Sequence, residues 1–251
     1  MPTAPPPASP DPRRRPSVVV LRAGDPGDPV LHVVHTLDGH VGALRPLASA
    51  VGPGVAVRGL ASPLVARPPE RFTSAARLAL RYASDILRED APGPHLLAGL
   101  GAGAALAFEV AAALRRDGAP VALLVAVDGG PGHRGPARAR PAVPPPWHPD
   151  HARARARRRH WELCVRGWSP HPYDGPLHLL WAAGTPSVGP TQGWGPWVAS
   201  VEVRRLPVAH ERLLAGDGVG PVAAELRGLV DRAWAAAPGP GTGSPPATGP
   251  A

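Results

Sequence analysis

The sequence predicts a single α/β domain built on a mostly parallel central sheet with flanking helices, and three observations predict it. Short runs rich in β-branched residues alternate with stretches of helical period, the pattern of strand–helix–strand units. Val121–Val127 is apolar at every position, as befits a strand buried on both faces of a parallel sheet. His95–Arg116 reads as a strand, a glycine turn and an alanine-rich helix in direct succession.

Taken in order, Ser17–Leu21 and Val30–Val34 are the first two strands. The turn-like stretch His35–His40 follows, then a short helical pattern through Leu44, Leu47 and Ala48. Val55–Leu60 is a third strand. From Phe72, apolar residues at Ala76, Ala79, Ala83 and Ile86 recur at intervals of four and three, one face of a helix; Asp90–Pro94 ends it. His95–Ala98 is a short strand, Gly99–Gly103 a tight turn and Ala104–Arg116 a helix closed by Asp117-Gly118, where glycine accepts a left-handed cap. Val121–Val127 ends on Asp128. Leu177–Trp181 and Val201–Val203 are late strands, and Val219–Ala236 is a closing helix.

A length of 251 residues suffices for a full core without staples. One cysteine, Cys164, excludes a disulfide framework and any multi-thiolate metal site. No apolar run approaches the ~20 residues of a membrane-spanning helix, and no apolar segment follows the N-terminal arginines as a secretory signal requires. A soluble, cytoplasmic protein is expected. Of 37 prolines, seven fall in 2–16, seven in 131–149 and five in 238–251. Residues 1–16 and 238–251 therefore read as disordered tails around a domain at 17–237, with a basic, Pro-rich insert at 131–170.

The net charge is +8 and every basic residue other than histidine is arginine. That bias, with abundant Ala, Gly and Pro, fits a GC-rich coding genome. The clustering is a separate matter: Arg153, Arg155, Arg157, Arg158 and Arg159 crowd the run His151–His160. Such a run steers acidic partners. The aromatic interleaving of a nucleic-acid module is missing, so nucleic acid is not the expected partner. A solvated helix face or a mobile loop is the plainer alternative.

The glycine turn has two mechanistic explanations. Gly99-x-Gly101-x-x-Ala104 satisfies the dinucleotide fingerprint, with Asp128 as the acid 24 residues after Ala104. That fingerprint normally opens its domain, however, and three strands precede it here. The other explanation is the nucleophile elbow G-x-S-x-G, which sets a nucleophile on a sharp strand-to-helix turn. Gly99 and Gly103 are then the flanking glycines, and the central position is Gly101.

The region 30–231 resembles the thioesterase family of nonribosomal peptide and polyketide synthesis, an α/β-hydrolase family. Leu31–Gly39 looks like its first strand and H-P-x-G-G turn, and Leu44–Ala48 like its Y-x-P-L-A. His95–Gly103 stands where the family has Y-H-L-A-G-W-S-x-G, and Phe108-Glu109 where it has A-Y-E-x-A. Tyr173–Pro176, Gly193-Trp194 and Val208–His210 resemble its late blocks, in order. The resemblance implies an acid at Asp128, a base at His210, oxyanion donors in the backbone amides of Leu37 and Ala102, and a lid over 131–170. At the nucleophile position it meets Gly101, which has no side chain.

Glycine cannot form an acyl-enzyme, so serine-type hydrolysis is expected to be impaired or lost. The implied protein binds acyl or peptidyl thioesters of a natural-product pathway. It needs no cofactor of its own, since an acyl or peptidyl carrier protein would bring the phosphopantetheine arm and the lid arginines would receive that acidic partner. Alternatively, the Asp128–His210 dyad and the oxyanion amides carry out cyclisation, epimerisation or water-mediated release. A non-catalytic interaction protein is the further alternative. Singly, Asp128 also reads as a turn cap and His210 as a surface residue; family spacing is what joins them. Cys164 and Thr36 are weaker nucleophile candidates, because nothing local marks a lowered thiol pKa. His32, His35 and His40 lack a carboxylate cluster, so no metal is expected. Trp147, Trp161, Trp168, Trp181, Trp194 and Trp197 either line an acyl pocket under the lid or pack the core.

Overall fold

The computed structural model describes residues 17–66, 69, 71–89, 94–131, 149–166 and 168–237. The expected tails at 1–16 and 238–251, most of the proline-rich part of the insert and Trp147 lie outside the described residues.

Seven strands form one sheet: β1 (Val18–Arg22), β2 (Val30–Val34), β3 (Ala56–Leu60), β4 (His95–Leu100), β5 (Val121–Val127), β6 (Tyr173–Ala183) and β7 (Val198–Ala209). Their order is β1-β3-β2-β4-β5-β6-β7. β1 runs antiparallel to β3, and every other pairing is parallel. The helices are α1 (Arg45–Ala50), α2 (Ala75–Glu89), α3 (Gly103–Arg116), α4 (His151–Arg166) and α5 (Val219–Ala236).

Strand side chains alternate between two cores, which makes three layers. Leu31, Val33, Leu96, Ala98, Leu123, Val125 and Val127 pack with α1 and α5 on one face. Val34, Leu97, Leu124 and Ala126 pack with α2 and α3 on the other. The central strands are thus mostly apolar because both faces are covered, with His32 and His95 the buried exceptions. Every residue of α3 from Gly103 to Leu114 is buried, so this helix is enclosed on all sides.

Three elements differ from expectation. α2 starts at Ala75, not Phe72, because the Ser74 hydroxyl accepts the Arg77 amide at 3.2 Å and caps the helix. Its buried stripe is correspondingly Ala75, Leu78, Ala79, Tyr82, Ala83 and Ile86. β6 begins at Tyr173, though Asp174-Gly175-Pro176 has turn composition, because alternate burial of Tyr173, Gly175 and Leu177 already fits the sheet. The arginine run is neither a loop nor wholly solvated: it forms the 16-residue α4, whose alternating alanines and arginines both favour helix.

Candidate active site

β2, β4 and β5 end side by side at their carboxyl edge, the place where open parallel sheets form binding crevices. The turn after β4 is sharp. A Cβ on Gly99 would stand 2.2 Å from the Gly103 carbonyl oxygen, and one on Gly103 would stand 2.8 Å from the His35 carbonyl oxygen. Both positions therefore require glycine, and Gly103 lets the loop after β2 lie against the start of α3.

Gly101 sits at the apex with φ +54°, and its amide donates to Val127 O at 2.8 Å. Its requirement differs from that of its neighbours. Among the described residues, a Cβ there would meet one atom within 4 Å, His210 Cε1, at an ordinary 3.6 Å. Backbone conformation is strained for a side chain at this point, as in a nucleophile elbow, but space for one is present.

His210 follows β7 directly, at the start of a short 3-10 turn. Its Nδ1 lies 2.5 Å from Asp128 Oδ2. Asp128, the residue after β5, is fully buried and has φ +48°. Its carboxylate also accepts the Ala182 amide at 3.0 Å and the Thr185 hydroxyl at 2.9 Å. Burial pulls the Asp128 pKa upward, but the hydrogen bonds from His210, Ala182 and Thr185 outweigh it and hold the acid below its ordinary value. With Nδ1 committed to a carboxylate, Nε2 is the ring nitrogen left for chemistry, and it adjoins the Cε1 that faces Gly101.

Among the described residues, neither the Leu37 nor the Ala102 amide has an acceptor. Ala102 is the N-cap of α3, where the helix dipole adds partial positive charge. The structure thus brings Gly101, Ala102, Asp128 and His210 to one place, with the loop of Leu37 packed beside them through Gly103. Thr36 is turned aside: its hydroxyl donates to Asp38 Oδ1 at 2.9 Å.

α4 closes over that loop. Arg157 Nε donates to Asp38 O at 3.1 Å, and the His160 ring bonds Phe72 O at 2.7 Å. Trp161 is buried, its ring 5.7 Å from that of His35. The five lid arginines therefore divide. Arg157 holds the loop of Leu37 and Arg158 pairs with Glu162 at 2.7 Å, while Arg153, Arg155 and Arg159 are exposed, Arg153 beside Asp150 at 3.6 Å. Cys164 packs against Phe72 O, and burial raises its thiol pKa, the wrong direction for a nucleophile.

Among the described residues, Trp161, Trp181 and Trp194 are buried packing side chains. Trp194 is fully buried against Phe108 and donates to Gly129 O at 2.9 Å. Trp181 donates to Thr185 O at 3.2 Å. Trp168 donates to the buried Glu109 carboxylate at 2.8 Å, which His171 also contacts at 3.0 Å. Two of these indoles hold the segments flanking Asp128, a role the sequence reading missed along with Thr185 and Gly129. A Cβ on Gly129 would lie 2.1 Å from Gly101 O, so this glycine permits the acid loop to touch the elbow. The pairing Asp128-Gly129 after a buried strand was the available signal. Among the described residues, no group of three His, Cys, Asp or Glu side chains is placed to hold a metal. No described helix is long and apolar enough to cross a membrane.

A family model for the thioesterase domain matches residues 29–144, from β2 through the elbow and β5. Among solved structures, the NocB thioesterase domain from the nocardicin cluster aligns with a TM-score of 0.71 at 23% identity, over 86% of this chain and 99% of that one. RedJ, the thioesterase from the prodiginine biosynthetic pathway of Streptomyces coelicolor, gives 0.64 at 27% identity, over 91% and 96%. The Vlm2 thioesterase domain gives 0.65 at 21%, over 84% and 96%. No curated protein matches this chain. The chain has the thioesterase-type α/β-hydrolase fold and carries the thioesterase-domain pattern over 29–144.

Proposed function

We propose that this chain binds acyl or peptidyl thioesters of a natural-product pathway, delivered on a carrier protein, at a thioesterase site whose serine-type chemistry is absent. One observation carries the reading: among the described residues, a Cβ on Gly101 would meet only His210 Cε1 within 4 Å, at 3.6 Å. Around that gap stand the supports of acyl transfer. His210 and Asp128 take the places of base and acid, and the Leu37 and Ala102 amides the places of oxyanion donors. Without a hydroxyl at Gly101, no acyl-enzyme forms.

The exposed arginines of α4 supply the partner surface. Arg155 and Arg159 are one turn apart on the helix and exposed; Arg153 is exposed too, on another side of the helix and paired with Asp150 at 3.6 Å. Acidic carrier proteins are the class this face steers. Charge reversal at the three positions is expected to weaken carrier association; unchanged, salt-insensitive binding would remove this part.

A second reading is favoured by the intact Asp128–His210 pair. An imidazole held through Nδ1 keeps Nε2 as a general base toward a water, a substrate hydroxyl or an acidic carbon–hydrogen bond. Cyclisation, epimerisation and water-mediated release are the reactions open to it. Release of free thiol from acyl-pantetheine and acyl-carrier substrates separates the two readings. An inert native protein beside an active Gly101→Ser variant supports binding; native turnover abolished by His210→Ala supports the dyad.

A further inference from the structure

Asp128 and Gln192 are, among the described residues, the two non-glycine residues with left-handed backbone, at φ +48° and +51°. For a residue with a long side chain that conformation is uncommon, and it persists where the surroundings impose it. One loop joins the two. It is the connection between β6 and β7, and it makes four contacts with residues 128–131.

Thr185 donates to the Asp128 carboxylate at 2.9 Å, and the Trp194 indole donates to Gly129 O at 2.9 Å. A Cβ on Gly130 would stand 2.8 Å from Gln192 O, and one on Gly193 would stand 2.9 Å from Pro131 O. The acid loop needs such neighbours, because Gly129-Gly130 has no backbone preference of its own. A double glycine directly after the acid leaves the direction of the carboxylate unencoded locally. The loop across from it supplies the constraint.

That loop is in turn built around one side chain. Gln192 is buried; its Oε1 accepts the Val188 amide at 2.9 Å, and its Nε2 donates to Ser187 Oγ at 2.8 Å. The Ser187 hydroxyl donates to Gly189 O at 3.2 Å, and the Gln192 amide donates to the same carbonyl at 3.1 Å. Trp194, two residues on, packs its ring against Phe108 and Trp168. Gln192 thus closes the turn internally, and Trp194 anchors it to the core.

We propose that Gln192 is a positioning residue for the Asp128–His210 pair. It holds the β6–β7 loop in the shape that fixes Gly129 and Gly130, and through them it aims the carboxylate at His210. The inference concerns the pair itself, so its test needs no substrate and does not depend on the proposed function.

The test is proton NMR of the native chain, nitrogen-labelled at histidine, with the Nδ1 proton of His210 assigned by its loss in His210→Gln. The native chain is expected to show this proton at low field and protected from exchange with water. In Gln192→Ala it is expected to exchange about tenfold faster, the size of one lost hydrogen bond, and to shift upfield. Ile86→Ala, a buried change on α2, is expected to lower the melting temperature without moving the signal. An unchanged signal in folded Gln192→Ala overturns the proposal, and so does an equal change in Ile86→Ala. The absence of a protected Nδ1 proton in the native chain overturns it too, since no fixed pair would then need positioning. If Gln192→Ala does not fold, Ser187→Ala decides: it takes away the partner of Gln192 Nε2 at an exposed position. Faster exchange there supports the proposal, and unchanged exchange overturns it.

Discussion

His210 Nδ1 and Asp128 Oδ2 are 2.5 Å apart, and the carboxylate in that pair is fully buried and held by two further donors. An aspartate kept in left-handed backbone, φ +48°, costs about 1 kcal/mol or more and persists only where its surroundings impose it. The surroundings here are Ala182 and Thr185 behind the carboxylate, with Trp181 and Trp194 securing the flanking segments. Such a fixed acid orients its histidine.

Thr185 is expected to matter as a positioning residue. Thr185→Val removes a buried donor and destabilises the fold by about 1–3 kcal/mol. It also lets the Asp128 pKa rise toward its ordinary value. In a Gly101→Ser background, Asp128→Asn lowers thioester cleavage by about 10³–10⁴-fold, by analogy with other triads, while Thr185→Val lowers it less. Thiol-release rates with thermal melts check both.

The elbow glycines separate by cause. Gly99→Ala drives a methyl into the Gly103 carbonyl and is expected to cost about 3 kcal/mol or more. Gly101→Ala meets no clash, only the positive φ, and costs about 1–2 kcal/mol. Denaturant midpoints that reverse this order would contradict the described turn.

Arg157→Ala releases Asp38 O, and with it the loop of Leu37, from α4. In the Gly101→Ser background kcat is expected to fall about tenfold, as for loss of a charge-assisted hydrogen bond. KM changes little. A fall in carrier affinity with kcat intact would instead place Arg157 with the exposed arginines.

Acid destabilises this fold early. Burial lowers the pKa of His32 to about 3 and of His35 and His95 to about 4. A histidine depressed in the folded state binds fewer protons there than in the unfolded chain, so its stabilisation is present above about pH 6.5 and drains as pH falls toward 4. Each contributes on the order of 2–3 kcal/mol of that loss by pH 4. Asp128, also depressed, adds a loss only below its unfolded value near 3.8. Melting temperature against pH, with a His95→Gln control that flattens part of the slope, checks the sign.

The sheet was legible because β5 is apolar at every position and β2 and β4 nearly so, and local pattern suffices for a strand covered on both faces. The meeting of Asp128 with His210 was legible through family spacing, and the sharp turn after β4 through Gly99 and Gly103. What escaped was set by contacts distant in sequence. Thr185 is 57 residues from the carboxylate it supports, and no local signal marks it. The arginine run concealed a division of labour, since only helical phase turns Arg157 inward and Arg155 outward. Of the tryptophans clustered in sequence, Trp168, Trp181 and Trp194 proved to be packing residues whose indole donors find carbonyl and carboxylate partners.

Intact mass after incubation with an acyl-pantetheine thioester tests the central claim most directly. The account predicts no covalent adduct on the native chain, a single acyl adduct on Gly101→Ser, and none on Gly101→Ser/His210→Ala. An adduct on the native chain, or a folded Gly101→Ser protein that never acylates, would contradict it.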